Sequence, residues 1–254
     1  MSEGESSAED AASVANQAAG ALDFFSLRES VTQCRACPRL VLWRERVARE
    51  RRKSFADQEY WGRPVPGFGD EHPAILVVGL APAAHGGNRT GRVFTGDRSG
   101  DWLFGSMFRV GLANQPESTG QGDGLVLTRT RVVAAVRCAP PDNKPTPGER
   151  DTCAPWLDRE LELIRPGLRV VVALGSFAWT ATLAMLERAG DTIHSPRPRF
   201  AHGATIVVGS VTVLGCFHPS QQNTFTGRLT AQMIDDVLAR AAELSGPASD
   251  GREE

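Results

Sequence analysis

Four runs of apolar residues recur along the chain, and they predict buried β-strands. The runs cover residues 74–80, 131–136, 168–174 and 211–217, and each is rich in Val, Leu or Ala. Continuous apolar runs of this length are typical of strands in a sheet that is covered on both faces. The pattern therefore predicts a central sheet inside the protein rather than a sheet with one solvent-exposed face.

Amphipathic segments lie between these runs and predict helices over residues 100–112, 153–164, 176–189 and 226–244. Ser176 is the predicted N-cap of the third helix, which is expected to end near Gly190. Alternation of strands and helices predicts an α/β fold: a three-layer α/β/α sandwich with a central, largely parallel sheet and right-handed crossovers.

Polar, Gly- and Pro-rich loops follow three of the predicted strands, over residues 80–99, 138–148 and 218–227. In open α/β sheets, ligands bind beyond the carboxyl ends of the strands. We therefore expect the functional residues in these three loops.

The composition of the two ends differs from that of the body. Residues 1–20 are rich in Ser, Ala, Glu and Gly without an apolar period and predict a disordered leader, and residues 245–254 predict a polar tail. A single folded domain is expected over residues 21–244. The chain has neither an apolar run long enough to span a membrane nor a basic, apolar secretory signal, so a bacterial-type cytoplasm or nucleoid is the expected location.

The charge distribution is compatible with a nucleic-acid partner without requiring one. The net charge of −2 divides into −4 on residues 1–10, −2 on residues 245–254 and +4 on the body between them. A binder's electrostatic footprint is a local patch rather than a total. The segment Arg44–Lys53 is strongly basic, and it is either a solvated helix face or a surface along which a phosphate backbone could lie.

Four of the five cysteines form two groups, Cys34 with Cys37 and Cys138 with Cys153. A C-x-x-C turn lets two sulfurs face one centre, and a second segment can complete a four-thiolate site. The spacing leaves two alternatives open, a metal site or unrelated thiols. The long, unequal second spacing favours an iron–sulfur cluster over zinc, and Cys216 is expected to be a buried thiol outside the site.

Two strand-end loops carry the candidate chemistry. The first runs G-L-A-P-A-A-H-G-G-N-R-T-G-R-V-F-T-G-D from Gly79 to Asp97, and its glycines predict backbone N–H groups exposed to a ligand. The signature of a nucleotide-phosphate loop, G-x-x-x-x-G-K-[ST], is absent from it. The second runs C-F-H-P-S-Q-Q-N-T-F-T-G and places His218 at the end of the last strand.

Together these loops resemble the uracil-DNA glycosylase superfamily, specifically its family 5 (UDGb) branch. The first motif matches over nineteen residues, the other motif is similar to H-P-S-x-x-N, and the likeness extends to the four-cysteine pattern and to R-C-A-P-P-D-N-K from Arg137 to Lys144. The resemblance implies a DNA-repair hydrolase that flips out uracil and other deaminated bases, cleaves the N-glycosidic bond and leaves an abasic site. It also implies a structural [4Fe-4S] cluster on Cys34, Cys37, Cys138 and Cys153.

The resemblance further implies a role for each loop residue. Asp97 would orient or deprotonate the attacking water, although it could equally be a helix N-cap. His218 would donate a hydrogen bond to the departing base, and Asn143, otherwise a turn residue, would help hold the water or the base. The remaining pocket is implied to consist of Ala81, Pro82, Ala83, Ala84, His85 and the stacking ring of Phe94, whose alternative is a core phenylalanine.

The DNA contacts implied by the resemblance are Asn88, Arg89, Ser220, Gln221, Gln222 and Asn223. The loop after His218 is similar to one that enters the minor groove, where Gln222 would replace an apolar wedge. We expect DNA, double-stranded and also single-stranded, to be the partner of a monomeric protein that does not bind membranes.

The chain departs from better-known branches at two points. No acidic side chain follows the first strand, where Leu80–Ala83 stand, so Asp97 has to supply the carboxylate. No asparagine stands near the end of the second strand, at 133–136, which predicts broad specificity that includes hypoxanthine. The alternatives are an iron–sulfur glycosylase with narrow uracil specificity and a non-catalytic DNA-binding module.

Overall fold

The computed structural model describes residues 7–246, which form an α/β domain. The described helices are α1 (Ala11–Gly20), α2 (Phe24–Gln33), α3 (Pro38–Glu50), α4 (Gly87–Thr90), α5 (Arg98–Arg109), α6 (Pro147–Ile164), α7 (Ser176–Arg188), α8 (Gln221–Phe225) and α9 (Ala231–Leu244). The strands are β1 (Phe68–Gly69), β2 (Ile75–Gly79), β3 (Thr130–Ala134), β4 (Val170–Leu174), β5 (Thr205–Val208) and β6 (Val211–Cys216). None of these helices is long and apolar enough to cross a membrane.

The predicted sheet is confirmed, and its four central strands are the four predicted ones. The strand order is β1-β3-β2-β4-β6-β5, in which β3, β2, β4 and β6 pair in parallel. The edge strands β1 and β5, which were not predicted, pair antiparallel. Because the central strands are parallel, their carboxyl ends share one edge of the sheet.

Each face of the sheet carries its own hydrophobic core. On one face Ile75 and Val77 of β2 pack with α5 and α9, and on the other Leu76 and Val78 pack with α6 and α7. Successive side chains of a strand point to opposite faces, so a run that is apolar throughout serves both cores. The predicted three-layer sandwich is therefore confirmed.

The predicted disordered leader is wrong for the residues that the structure describes. Asp10 caps α1 by accepting a hydrogen bond from the Ser13 backbone N–H at 2.7 Å. Val14 and Ala18 are buried in a small cluster with Trp156 of α6. Small apolar residues of low average hydrophobicity can still cover a neighbouring helix, which composition alone did not reveal. Residues 1–6 of the predicted leader, and residues 247–254 of the predicted tail, lie outside the described residues.

Several helix boundaries also differ from the prediction. Helix α6 begins at Pro147 rather than at 153. Gly175, at φ +93°, is the N-cap of α7, and Ser176, the predicted cap, is its first helical residue. The last helix begins at Ala231 after a Thr230 cap, so residues 226–230 lie between it and the separate short helix α8.

Candidate functional site

The loops that follow β2 and β6 meet at the carboxyl edge of the sheet, as predicted. Phe94 connects them, because its ring lies over Gly79 at the end of β2 and contacts the His218 ring just beyond β6. The two ring centroids are 5.8 Å apart and the planes are inclined by 35°. A Cβ on Gly79 would lie 2.6 Å from the Phe94 ring, so only glycine lets the ring settle on the strand end.

The backbone of Phe94 is held in a conformation that phenylalanine rarely adopts. Its φ is +49°, and a bulky side chain in this region costs on the order of 1–3 kcal/mol. Gly100 of α5 makes the conformation possible, because a Cβ there would lie 1.8 Å from the Phe94 carbonyl oxygen. Strain of this kind that the surroundings enforce is typical of functional sites. The alternative of an ordinary core phenylalanine does not explain it.

Asp97 is the N-cap of α5 and also faces a cavity, so both of its predicted roles are compatible. Its Oδ1 accepts hydrogen bonds from the backbone N–H groups of Ser99 and Gly100, at 2.9 and 3.1 Å. Its Oδ2 lies over Gly86, where a Cβ would approach it to 2.0 Å. Burial raises the pKa of this carboxyl against the effect of the two cap hydrogen bonds. Oδ1 thus caps helix α5, and Oδ2 faces the loop at Gly86.

The imidazole of His218 is neutral at pH 7. Burial lowers its pKa to about 4. The main chain at this residue is fixed, because the side-chain amide of Asn223 donates a hydrogen bond to the His218 carbonyl oxygen at 2.8 Å. A neutral ring retains one N–H, which can donate a hydrogen bond without bringing a full charge into the site.

An open cavity brings several of the predicted site residues together. Asn143 reaches it from an exposed turn in which Asp142 and Asn143 have φ values of +54° and +55°. Gln221 reaches it from the first turn of α8. The residues that line it are Arg52, Phe55, Ala83, Ala84, His85, Gly86, Gly96, Asp97, Arg98, Asp101, Asn143 and Gln221. Phe94 and His218 are not among the lining residues, although Gly96 and Asp97 follow Phe94 by two and three positions and Gln221 follows His218 by three.

His85 is held at the wall of this cavity by a residue that the sequence analysis missed. The Tyr60 hydroxyl and the His85 Nδ1 are 3.0 Å apart, and the two rings meet edge to face. Burial, followed by the nearby cations Arg52 and Arg89, lowers the pKa of His85. Tyr60 is the only tyrosine of the chain, but nothing in its sequence context linked it to the motif.

The DNA contact predicted for Asn88 is wrong, and the one for Arg89 stays a prediction. Asn88 is fully buried, and its amide donates a hydrogen bond to the Arg44 carbonyl oxygen at 3.2 Å. The Arg89 guanidinium donates hydrogen bonds to the carbonyl oxygens of His85 and Gly96 and to the side chain of Gln58. Both side chains brace the motif loop from within.

The loop after His218 matches its prediction only in part. Ser220 caps α8 and Asn223 holds the His218 carbonyl, so both have structural partners, whereas Gln221 and Gln222 are exposed. The sequence analysis missed Phe225, which is 67% exposed at the end of α8. The Arg98 guanidinium lies 5.2 Å from the centre of its ring. Because Arg98 lines the cavity, this exposed ring lies next to the cavity.

The four predicted ligand cysteines line one enclosed cavity, away from the candidate site. Cys34, Cys37, Cys138 and Cys153 face it together with apolar side chains that include Leu40 and Trp156. Burial raises the pKa of Cys37 to about 11, and the nearby Cys34 adds to the shift. Cys216 lies apart from them in a sheet core, as predicted, where burial raises its pKa to about 12.

The four cysteines do not form a single-ion site as they stand. Over residues 7–246, no three His, Cys, Asp or Glu side chains form a group that could hold one metal ion.

Comparisons with known proteins converge on one family. The family model for the uracil DNA glycosylase superfamily matches residues 66–242. A type-5 uracil-DNA glycosylase of Mycobacterium tuberculosis is 54% identical, over 90% of this chain and 84% of its own. A type-5 uracil-DNA glycosylase of Thermus thermophilus is 49% identical, over 86% of this chain and 96% of its own. A type-4 uracil-DNA glycosylase of Pyrobaculum aerophilum is 24% identical, over 78% of this chain and 84% of its own. The likeness to the type-5 enzymes is therefore stronger.

Proposed function

Because the chain belongs to the uracil DNA glycosylase superfamily, we propose that it removes uracil from DNA by hydrolysing the N-glycosidic bond, leaving an abasic site. The observation that carries this proposal is the strained Phe94, which packs on His218 at the strand ends while Asp97 begins the next helix. An aromatic plate, a neutral hydrogen-bond donor and a carboxylate are the three groups that this hydrolysis needs.

Binding requires the target nucleotide to leave the stack. Unstacking costs a few kcal/mol, and stacking on an aromatic side chain returns about 1–3 kcal/mol per base. Phe94 supplies this surface, and Ala83, Ala84 and His85 line the adjoining cavity. Because the ring already lies on Gly79, the plate is in place before DNA arrives.

The carboxylate of Asp97 acts on the sugar side of the bond. Cleavage leaves positive charge on the sugar, which an anion stabilises, and a carboxylate can take the proton of the attacking water. Only Oδ2 is available for this, since Oδ1 is occupied by the cap of α5. Asn143 reaches the same cavity and would hold the water by its amide.

His218 acts on the base side. Negative charge collects on a carbonyl oxygen of the leaving base, and a positioned N–H stabilises it. We expect His218→Ala to lower kcat by about 100- to 1000-fold, the effect of removing one oxyanion donor. His218→Gln, which keeps an N–H donor, should recover part of the loss. Single-turnover base release measures both, and equal activity of His218→Ala and wild type would contradict the assignment.

Specificity is expected to extend beyond uracil. The segment that follows β3 is buried and apolar over Ala135 and Val136, so it offers no side-chain amide to read a uracil edge. Sites that bind a base without such readout discriminate weakly. We therefore propose that hypoxanthine is also removed.

The decisive experiment incubates the protein with oligonucleotides that contain uracil or hypoxanthine, single- and double-stranded, followed by alkaline strand scission. We expect release of both bases within about 100-fold of each other. A preference for uracil of several orders of magnitude would indicate a narrow glycosylase. Binding without any base release would indicate a DNA-binding module. Undamaged duplex serves as the control.

The DNA contact after β6 is assigned to Phe225 rather than to Gln222. Apolar side chains that enter the space left by a flipped nucleotide stabilise the kinked duplex. A polar glutamine side chain fills that space less favourably than an aromatic ring does. Phe225 is exposed beside the cavity, and Arg98 next to it can meet a phosphate.

We expect Phe225→Ala to weaken binding of a uracil-containing duplex by about 10-fold, since stacking of one base is worth about 1–3 kcal/mol. Gln222→Ala is the matched control in the same helix and should change binding less than threefold, by roughly 0.5 kcal/mol. Fluorescence anisotropy with duplex and single-stranded DNA measures both. A larger loss for Gln222→Ala would reverse the assignment.

We also propose that Cys34, Cys37, Cys138 and Cys153 hold a [4Fe-4S] cluster. The enclosed, largely apolar cavity and the four thiols at its wall support this. A cluster bound there would supply a structural link between the C-x-x-C turn ahead of α3, the segment that follows β3 and helix α6. The protein is proposed to act as a monomer at the bacterial nucleoid, where its DNA substrate lies.

A further inference from the structure

Arg44 is a buried cation next to the cysteine cavity. It belongs to α3 and is 2% exposed. Its Nη1 lies 3.7 Å from the Cys138 Sγ, and its Nη2 donates a hydrogen bond to the Cys34 carbonyl oxygen at 3.1 Å. Its Nε has no partner among residues 7–246. The guanidinium therefore touches both cysteine groups and still has a donor to spare.

Other donors around the same cavity also lack acceptors. Trp156 is fully buried at the cavity wall, and its indole Nε1 has no partner within the part of the chain that the structure describes. The backbone N–H of Arg137 donates to the Cys153 Sγ at 3.3 Å. Indole and guanidinium groups are donors only, so they need an acceptor or an anion in contact with them.

The carboxylates nearby do not meet this need. Glu45 is 3.9 Å from Arg44, but its carboxylate pairs with Arg35 at 2.5 Å. Glu160 is shared by Arg131 and Arg137. A buried cation without a buried anion is costly, as is a buried donor without an acceptor. An anionic group rich in acceptors among the four cysteines would meet this need.

We propose that Arg44 is the counter-ion of the cluster, a positioning residue whose guanidinium donates to the Cys138 sulfur. The unpartnered Trp156 N–H at the cavity wall is proposed as a second donor. This inference rests on the proposed cluster. Four thiolates make the loaded site anionic, and a cation beside it stabilises the reduced state more than the oxidised one. Hydrogen bonds to the sulfurs act in the same direction. Arg44 thus raises the reduction potential and retains the iron.

The test compares purified, iron-loaded variants by reduction potential and by the rate at which a chelator removes iron. Arg44→Gln should shift the potential to more negative values and lose iron about 10-fold faster, as for other residues that support metal ligands. Trp156→Phe, which removes the N–H together with part of the indole ring, should shift the potential the same way by less. Arg46→Gln, an exposed arginine of the same helix, should match wild type.

Wild-type potentials and iron loss in both Arg44→Gln and Trp156→Phe would overturn the inference. If Arg44→Gln is not recovered folded, Arg44→Lys replaces it. The retained positive charge should keep the reduction potential near that of wild type. Loss of the planar guanidinium and its hydrogen bonds should speed iron release. Iron release from the lysine variant at the wild-type rate would overturn the inference. A wild-type protein that binds no iron would remove the cluster and this inference together, and uracil release would still be judged by the oligonucleotide assay.

Discussion

Asp97→Asn should abolish most base release while leaving the fold and DNA binding in place. Asparagine caps helices about as well as aspartate, so the hydrogen bonds from Ser99 and Gly100 are retained. The amide cannot take a proton from water or carry the charge that stabilises the sugar cation. General-base catalysis contributes about 100- to 10,000-fold, and we expect a loss of that size in single-turnover base release.

The same substitution should stabilise the folded protein at neutral pH. Burial raises the pKa of Asp97 in the fold, so the folded state holds this proton more tightly than the unfolded state does. The carboxylate is therefore destabilising at neutral pH, and this cost disappears as the pH falls through the raised pKa. Asp97→Asn should have a higher Tm than wild type at pH 7, and the difference should vanish in acid.

Asp97→Ala is the control that separates the cap from the carboxylate. It should lose both activity and roughly 1 kcal/mol of stability, because the N-cap acceptor of α5 is removed. Should Asp97→Asn retain activity within a few-fold of wild type, Asp97 is a helix cap alone and the attacking water is activated elsewhere. DNA binding measured in parallel shows whether each variant still recognises its substrate.

The sheet could be predicted because its signal is simple. Strands buried on both faces are apolar at nearly every position: the run ending at Gly79 is apolar throughout, and the run ending at Cys216 has Thr212 as its one polar residue. Since parallel strands end at one edge, the loops that carry Phe94 and His218 had to lie near each other. The contact between these two rings follows from topology together with the motif.

The direction in which a side chain points within a loop could not be predicted. Asn88 and Arg89 sit in a glycine-rich polar motif that is typical of a ligand surface, yet both turn inward to satisfy backbone carbonyls. Helix α1 was missed because its buried residues are one valine and one alanine, Val14 and Ala18, whose hydrophobicity is modest. Phe225 was missed because an exposed aromatic is indistinguishable by its letter from a buried one.

Loss of a single ligand of the proposed cluster should remove the iron and much of the stability. Structural metal sites contribute on the order of 10 kcal/mol to folds that depend on them, because the site does not exist in the unfolded chain. We expect Cys138→Ala to be isolated without iron, with a strongly lowered Tm. Iron content, visible absorbance and thermal unfolding measure this. The candidate site at the carboxyl edge of the sheet is also expected to weaken, since Cys138 closely follows β3.

Cys216→Ala is the matched control, because Cys216 is as buried as Cys138 but lies in a sheet core away from the cavity. It should keep its full iron content and lose on the order of 1 kcal/mol, as for a small cavity in a packed core. Equal iron content in both variants would show that Cys138 is not a ligand. If Cys138→Ala and Cys216→Ala are equally destabilised and neither loses iron, the four cysteines are packing residues. Only a shared metal would make the loss of Cys138 cost several times more stability than the loss of Cys216.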